Sequence, residues 1–342
     1  MTDLRNILID ASNIHTGGGK TLLNDFIHDA INFNGIKFTI WVDHRYIILD
    51  AFKQKKNIIF NKTPVKSRFV IKYTIQKIAK KNDVIIYFGN IPPFTKSSCR
   101  SILIQSNRFI IEKVQIKDKL FNRMRVAFER MLFRLFKNKV DEVIVQSISM
   151  RHLIENYKNN TFTTKIMPFK NFNEEIEIIP TDQRDGFIYV SSDDPHKNHE
   201  NLLKAWILLS QDKIYPKLQL TLSSKSSLLN YINEINNKYF LNIEILIDAE
   251  RQDLLNKFAK SKALIFPSFI ESYGLPLVEA NMLGIDILAS ELDCIRDAVD
   301  PCETFDPHSP LSISRAVKRY LKLNEPKVDI MTPSEFIEYL IK

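Results

Sequence analysis

Two glutamates, Glu271 and Glu279, stand with seven residues between them and enclose the tripeptide Gly274-Leu275-Pro276. Ahead of them the apolar run Ala263-Leu264-Ile265-Phe266 reads as a buried strand that Pro267 ends. Pro276 suits the first turn of a helix, where a missing N–H costs nothing, and Gly284 stops that helix. Strand, loop and helix N-terminus together make the standard anion site of α/β proteins. Carboxylates beside such a site are out of place for a bare phosphate. They suit a ligand that carries hydroxyls as well as phosphate, such as a sugar nucleotide.

Lys197 precedes a second helix-like segment, Asn198–Ser210, and an ammonium beside a helix N-terminus aims two positive elements at one anion. Only eight glycines occur in 342 residues, and five of them sit in two places, Gly17-Gly18-Gly19 and Gly274 with Gly284. The triplet follows a first strand and precedes a helix, so it is either a tight turn or a loop whose N–H groups reach a phosphate. It is not the dinucleotide fingerprint, because no Gly-x-Gly-x-x-Gly follows. Asn13 and His15 lie in the same stretch and could reach a second substrate, although His15 equally suits a local hydrogen bond. No Asp-x-Asp and no His/Cys cluster supplies a metal site, so neither metal nor other cofactor is expected. Cys99, Cys294 and Cys302 show no metal or redox spacing.

Alternating strand-like and helix-like stretches must position these residues. Strands are predicted at Asn6–Asp10, Lys37–Val42, Val84–Phe88, Ser101–Gln105 and Glu142–Gln146, with helices at Lys20–Phe33 and about Asp118–Lys137. The second half repeats the pattern: strands at Gly186–Ser191, Leu218–Ser223, Ile243–Ile247, Ala263–Phe266 and Ile285–Ala289 are separated by helices. Such alternation implies parallel sheets with right-handed crossovers, and two runs imply two doubly wound α/β domains. The polar stretch Pro168–Asp185 is the natural join. The reading is therefore an N-terminal domain at 1–168, a C-terminal domain at 186–328 and a last helix at 329–342. That helix opens with the cap signature Thr332-Pro333-Ser334-Glu335.

Hydrophobic content of 44% with 26% charge is ordinary for a soluble enzyme. The longest apolar runs, such as Val84–Phe88, are far too short to cross a bilayer, and no long apolar h-region opens the sequence, so a cytoplasmic chain is expected. The net charge of +8 is concentrated: residues 113–139 hold nine Lys/Arg against Asp118 and Glu129. Within that segment Leu120, Phe121, Met124, Phe128, Met131, Leu132, Leu135 and Phe136 recur at helical spacing, with Arg123, Arg125, Arg130 and Arg134 between them. This is either a core helix with a solvated basic face or a surface that docks on anionic lipid. Basicity confined to one segment, without a recognition motif, argues against nucleic acid as a partner.

The segment Ala263–Ser290 resembles the signature of the retaining glycosyltransferases of family 4, in which two glutamates flank Gly-Leu-Pro as Glu271 and Glu279 do here. The resemblance extends to Ile188-Tyr189-Val190 followed by Pro195-His196-Lys197-Asn198, to Gly17–Gly19 and to Val143–Ser147. It is most specific in the C-terminal half and is nearest to bacterial members that build lipopolysaccharide O-antigen or capsule. It implies a GT-B fold, with two Rossmann-like domains facing a cleft and the C-terminal helix crossing back. It also implies a metal-independent hexosyltransferase that moves a sugar from a nucleotide-sugar donor to a glycan acceptor on a polyprenyl-diphosphate lipid. Such an enzyme keeps the anomeric configuration and works in the cytoplasm or peripherally on the inner face of the plasma membrane.

By this resemblance Glu279 holds the ribose hydroxyls and Glu271 faces the donor sugar. Gly274, Leu275 and Pro276 approach sugar and phosphate, Lys197 meets the diphosphate, and Gly18 and Gly19 face it across the cleft. The sequence also departs from the family. Ser191-Ser192 replaces Gly-Arg, so Ser192 brings a hydroxyl where a second phosphate cation is usual. Ser223 and Asp248 stand where relatives often have glycine, and Asp286 where proline is usual. A sugar-nucleotide epimerase or an inverting transferase of the same fold is the alternative, and a nucleic-acid-binding protein a more distant one.

Overall fold

A computed structural model of the chain describes residues 5–33, 35–53, 55–113, 120–170 and 180–323. The first sheet comprises β1 (Arg5–Ala11), β2 (Ile36–Asp43), β3 (Ile58–Thr63), β4 (Val84–Tyr87), β5 (Arg100–Ile104), β6 (Glu142–Val145) and β7 (Thr163–Ile166). They lie in the order β3-β2-β1-β4-β5-β6-β7. The second comprises β8 (Phe187–Tyr189), β9 (Leu218–Leu222), β10 (Ile243–Ile247), β11 (Ala263–Phe266), β12 (Asp286–Ser290) and β13 (Glu303–Phe305), in the order β10-β9-β8-β11-β12-β13. Every described pairing in both sheets is parallel. The chain therefore folds as two Rossmann-like doubly wound domains, each covered by helices.

Strands buried on both faces read as unbroken apolar runs, and Phe187–Tyr189 and Ala263–Phe266 are buried throughout. They pack on Leu202, Leu203 and Trp206 of the helix His199–Gln211, and the Trp206 Nε1–H donates to the Pro216 carbonyl at 3.0 Å.

In each sheet the strand order reverses once, between β1 and β4 and between β8 and β11. Ligands of doubly wound sheets bind outside the carboxyl ends of the strands at that point. The connections that leave these ends lead into the helices Gly17–Ala30, His199–Gln211 and Leu275–Met282. The segments singled out for their chemistry thus lie at the two switch points.

Several elements differ from the sequence reading. The first helix begins at Gly17, so the glycine triplet is its first turn rather than a loop ahead of it. Strand β3 and the helix Arg68–Ile78, absent from that reading, fill the stretch between β2 and β4. The proposed last helix at 329–342 and half of the join between the domains, residues 171–179, lie outside the described residues.

Candidate active site

Gly274 ends the loop after β11 with φ +71°, a left-handed conformation that only glycine adopts without strain. A Cβ there would lie 2.6 Å from Leu277 Cδ1. The helix Leu275–Met282 then starts with Pro276 in its first turn and carries Glu279 one turn in, where it is only 3% exposed. Glu271 lies earlier on the same loop. Lys197 lies on the other switch-point loop, in the short 3-10 turn Pro195–Lys197 after β8.

Hydrogen bonds tie these two loops to each other and to the segments around them. The Tyr189 hydroxyl donates to the Lys197 carbonyl at 2.7 Å, and the Phe269 N–H donates to the His196 carbonyl at 2.9 Å. Asn198, itself left-handed at φ +61°, donates from Nδ2 to the carbonyls of Pro267 and Pro307, each at 2.8 Å. With both backbones fixed, Lys197 Nζ meets Glu271 Oε1 at 2.6 Å. An ammonium has three protons, so Lys197 can keep this bond and still donate to phosphate oxygens.

The opposite wall comes from the N-terminal domain. A Cβ on Gly18 would sit 3.2 Å from Leu275 Cδ1, so the first turn of the helix Gly17–Ala30 comes against the start of the helix Leu275–Met282, where any side chain would crowd it. The Arg108 N–H donates to Ser272 Oγ at 3.0 Å, and Ser147 Oγ donates to the Ser272 carbonyl at 3.2 Å. Between these walls lies a cavity of about 620 Å³. Gly18, Gly19, Ser192, Lys197, Glu271 and the run Gly274–Pro276 all line it, together with Glu279. The structure thus brings every residue assigned to the donor side into one cleft.

Ser192 does not replace the expected cation, since its hydroxyl donates to Asp194 Oδ2 at 2.6 Å. Nor does His199, whose imidazole is pushed down to about 4 by burial and so stays neutral at physiological pH. Two residues that the sequence reading missed bring positive charge to the cavity instead. Arg108, four residues past β5, reaches it from the N-terminal domain, and Arg251, four residues past β10, reaches it from the C-terminal one. Arg251 Nη2 holds Glu279 Oε1 at 2.7 Å, and Lys170 Nζ lies 3.9 Å from the same oxygen. A cation just beyond the carboxyl end of a parallel strand is a signal that could have found both arginines. Asp248, where glycine was expected, keeps the left-handed backbone at φ +46°, and its carboxylate accepts the Ser224 N–H.

Asn13 and His15 do not line the cavity. Asn13 donates from Nδ2 to the Gly89 carbonyl at 2.8 Å, clasping the loops after β1 and β4, and a Cβ on Gly89 would lie 1.9 Å from Asn13 Oδ1. Burial and the nearby Arg45 hold the His15 imidazole below its ordinary value. On the basic helix, Leu120–Phe136, Arg123, Arg125 and Arg134 are exposed. Arg130 is not part of that surface: its guanidinium turns inward and donates to the carbonyls of Phe109 and Glu112, because the carbonyls of the neighbouring short helix need a donor there. Among the described residues no group of three His, Cys, Asp or Glu gathers as a metal site, and no helix is long and apolar enough to cross a membrane.

Residues 171–334 match the family described as "Glycosyl transferases group 1". The serotype-specific mannosyltransferase WbdA of Escherichia coli is 26% identical over 171 residues, 46% of this chain and 20% of that protein. The chain thus spans about one fifth of the length of the curated relatives it matches. Among solved structures, sucrose-phosphate synthase from Thermosynechococcus elongatus superposes with a TM-score of 0.68 at 16% identity, covering 93% of this chain and 90% of that one. WaaG, a glycosyltransferase involved in lipopolysaccharide biosynthesis, gives 0.66 at 13% identity with the same coverage. HepE of Anabaena, solved with UDP and glucose, gives 0.65 at 14% identity, again over 93% and 90%. The chain has the GT-B fold, and the stretch that matches the glycosyl transferases group 1 family covers its C-terminal sheet.

Proposed function

We propose that this protein is a retaining hexosyltransferase that moves a sugar from a nucleotide-sugar donor to a glycan acceptor in bacterial surface-polysaccharide synthesis. The observation that carries the reading is the Lys197–Glu271 pair at 2.6 Å, on the same cleft wall as the buried Glu279. Glu279 accepts the ribose hydroxyls, Lys197 meets the diphosphate and Glu271 faces the sugar. The charge of the leaving diphosphate is met by cations of the chain, Lys197 with Arg108 and Arg251, and no metal is required. In the reaction the bond from the anomeric carbon to the phosphate oxygen breaks as the bond to the acceptor oxygen forms on the same face. The acceptor's hydroxyl proton passes to the departing phosphate. Lys197 stabilises the charge that grows on that phosphate, so its effect is larger in the transition state than in the ground state.

The test is a thermal-shift panel of UDP-, GDP-, ADP- and dTDP-sugars. One donor class is expected to raise the melting temperature, since a ligand at 100 times its Kd adds about 2.7 kcal/mol of stability. NMR of the product's anomeric configuration checks retention. No stabilisation by any donor, or an inverted product, would overturn the reading.

We further propose that the acceptor is lipid-linked and that the N-terminal domain meets it on an anionic bilayer. On the basic helix Met124, Phe128, Met131 and Leu135 form one exposed apolar stripe, flanked by Arg123, Arg125 and Arg134. The patch continues onto the helix Arg68–Ile78, where Phe69, Val70 and Tyr73 are exposed. Phe94 joins the two helices, its ring centroid 5.6 Å from that of Phe69 and 4.9 Å from that of Phe136. Apolar side chains ringed by cations suit an anionic headgroup layer. Each basic residue near such a surface contributes about 1 kcal/mol, so replacing Arg123, Arg125 and Arg134 by glutamine should weaken binding to phosphatidylglycerol vesicles roughly 100-fold at low salt. Co-sedimentation measures this, and equal binding by the triple variant would remove the membrane from the reading.

A further inference from the structure

A carboxylate as buried as Glu279 is costly unless cations compensate it, and here two of them approach the same oxygen. Arg251 belongs to the C-terminal domain. Lys170 follows the last strand of the N-terminal sheet, in the connection between the domains, and its side chain is 3% exposed. Its Nζ lies 3.0 Å from Asp25 Oδ2 and 3.9 Å from Glu279 Oε1. Asp25 sits on the helix Gly17–Ala30, whose first turn lines the cleft. A single buried ammonium therefore stands between a carboxylate of one domain and the ribose carboxylate of the other.

We propose that Lys170 is a positioning residue for nucleoside recognition, tying the orientation of Glu279 to Asp25 and so to the wall that carries the glycine triplet. The inference rests on Glu279 being the ribose ligand. At 3.9 Å Lys170 acts on Glu279 as a point charge rather than a hydrogen-bond donor, while its short contact to Asp25 fixes where that charge sits. Both cations act on Oε1, and a diol can take the other oxygen. Nucleotide binding is then felt in both domains at once. A residue that acts through Glu279 on ground state and transition state alike changes KM for the donor and leaves kcat nearly unchanged.

The experiment measures binding of UDP, GDP, ADP and dTDP by calorimetry, with kcat and KM for the matching donor, in the full chain. Lys170→Met is expected to weaken the nucleotide that binds wild-type protein about tenfold, with kcat within about threefold of normal. On a Glu279→Gln background the same change is expected to cost less than about twofold, because the two residues act as one unit. If circular dichroism shows that Lys170→Met does not fold, Asp25→Asn cuts only the far end of the tether, and a smaller loss with the same dependence on Glu279 is expected. Wild-type affinity in the variant that folds, or a loss undiminished on the Glu279→Gln background, overturns the inference and leaves the donor reading standing. If wild-type protein binds none of the four nucleotides, or Glu279→Gln binds as tightly as wild type, the ribose assignment itself falls and this inference with it.

Discussion

Lys197→Ala and Glu271→Ala are each expected to lower sugar transfer by about 10²–10³-fold, the usual loss when one preorganised group that stabilises transition-state charge is removed. The loss should fall on kcat for Lys197, since charge on the leaving phosphate develops as the glycosidic bond breaks. Both side chains are partly exposed to the cleft and pair with each other rather than with the core. Thermal unfolding of either variant should therefore stay cooperative. Glu271→Gln is the sharper probe of charge: it keeps an acceptor oxygen beside Lys197 and removes the negative charge. Steady-state kinetics with the donor found in the stabilisation panel decides the matter. Near-normal turnover in both alanine variants would sink the assignment of this pair to the reaction.

Glu279→Ala is expected to weaken nucleoside diphosphate binding by about 10- to 100-fold, from the 1.5–3 kcal/mol that a hydrogen bond to a charged group contributes. Structure should survive the change, because Lys170 retains Asp25 at 3.0 Å and Arg251 lies partly in solvent. A 2′-deoxy nucleotide separates ribose recognition from general damage. It should bind wild-type protein more weakly than the ribonucleotide does, and bind the alanine variant as weakly as the ribonucleotide. Equal discrimination by both proteins would remove Glu279 from the ribose site.

The loop of Glu271 and the helix of Glu279 were readable in the sequence because their signals are local. Gly274 makes a left-handed turn with no room for a Cβ beside Leu277, Pro276 marks the first turn of a helix, and the two glutamates follow from these within a few residues. Buried parallel strands such as Ala263–Phe266 likewise announce themselves as apolar runs. The helix Arg68–Ile78 does not: Phe69, Val70, Ile71, Tyr73, Thr74 and Ile75 are β-branched or aromatic, and their intrinsic preference is for strand. Tertiary packing decides there, with Ile75 fully buried and Lys72 paired to the buried Asp10 at 2.6 Å. The charges around Glu279 were hidden for a different reason. Asp25, Lys170 and Arg251 are scattered over more than 200 residues of sequence, and only the meeting of two sheets brings them together. Arg130 reads as one more cation on a basic face, and nothing in helical spacing reveals that its Nη2 donates to two backbone carbonyls.

The joint between the two walls has a consequence for how such a protein can diverge. On the N-terminal side two of its polar contacts are made by main-chain N–H groups, Arg108 to Ser272 and Ser149 to Asp297, and Gly18 meets Leu275 through having no side chain. Almost any residue supplies a main-chain N–H. At these positions the N-terminal domain can therefore change its side chains and still dock on the same C-terminal domain. Grafted behind a different N-terminal domain of the same fold, the C-terminal domain should carry its nucleotide preference with it, provided the graft keeps a glycine opposite Leu275, the Ser147 hydroxyl and the Asp25–Lys170 pair.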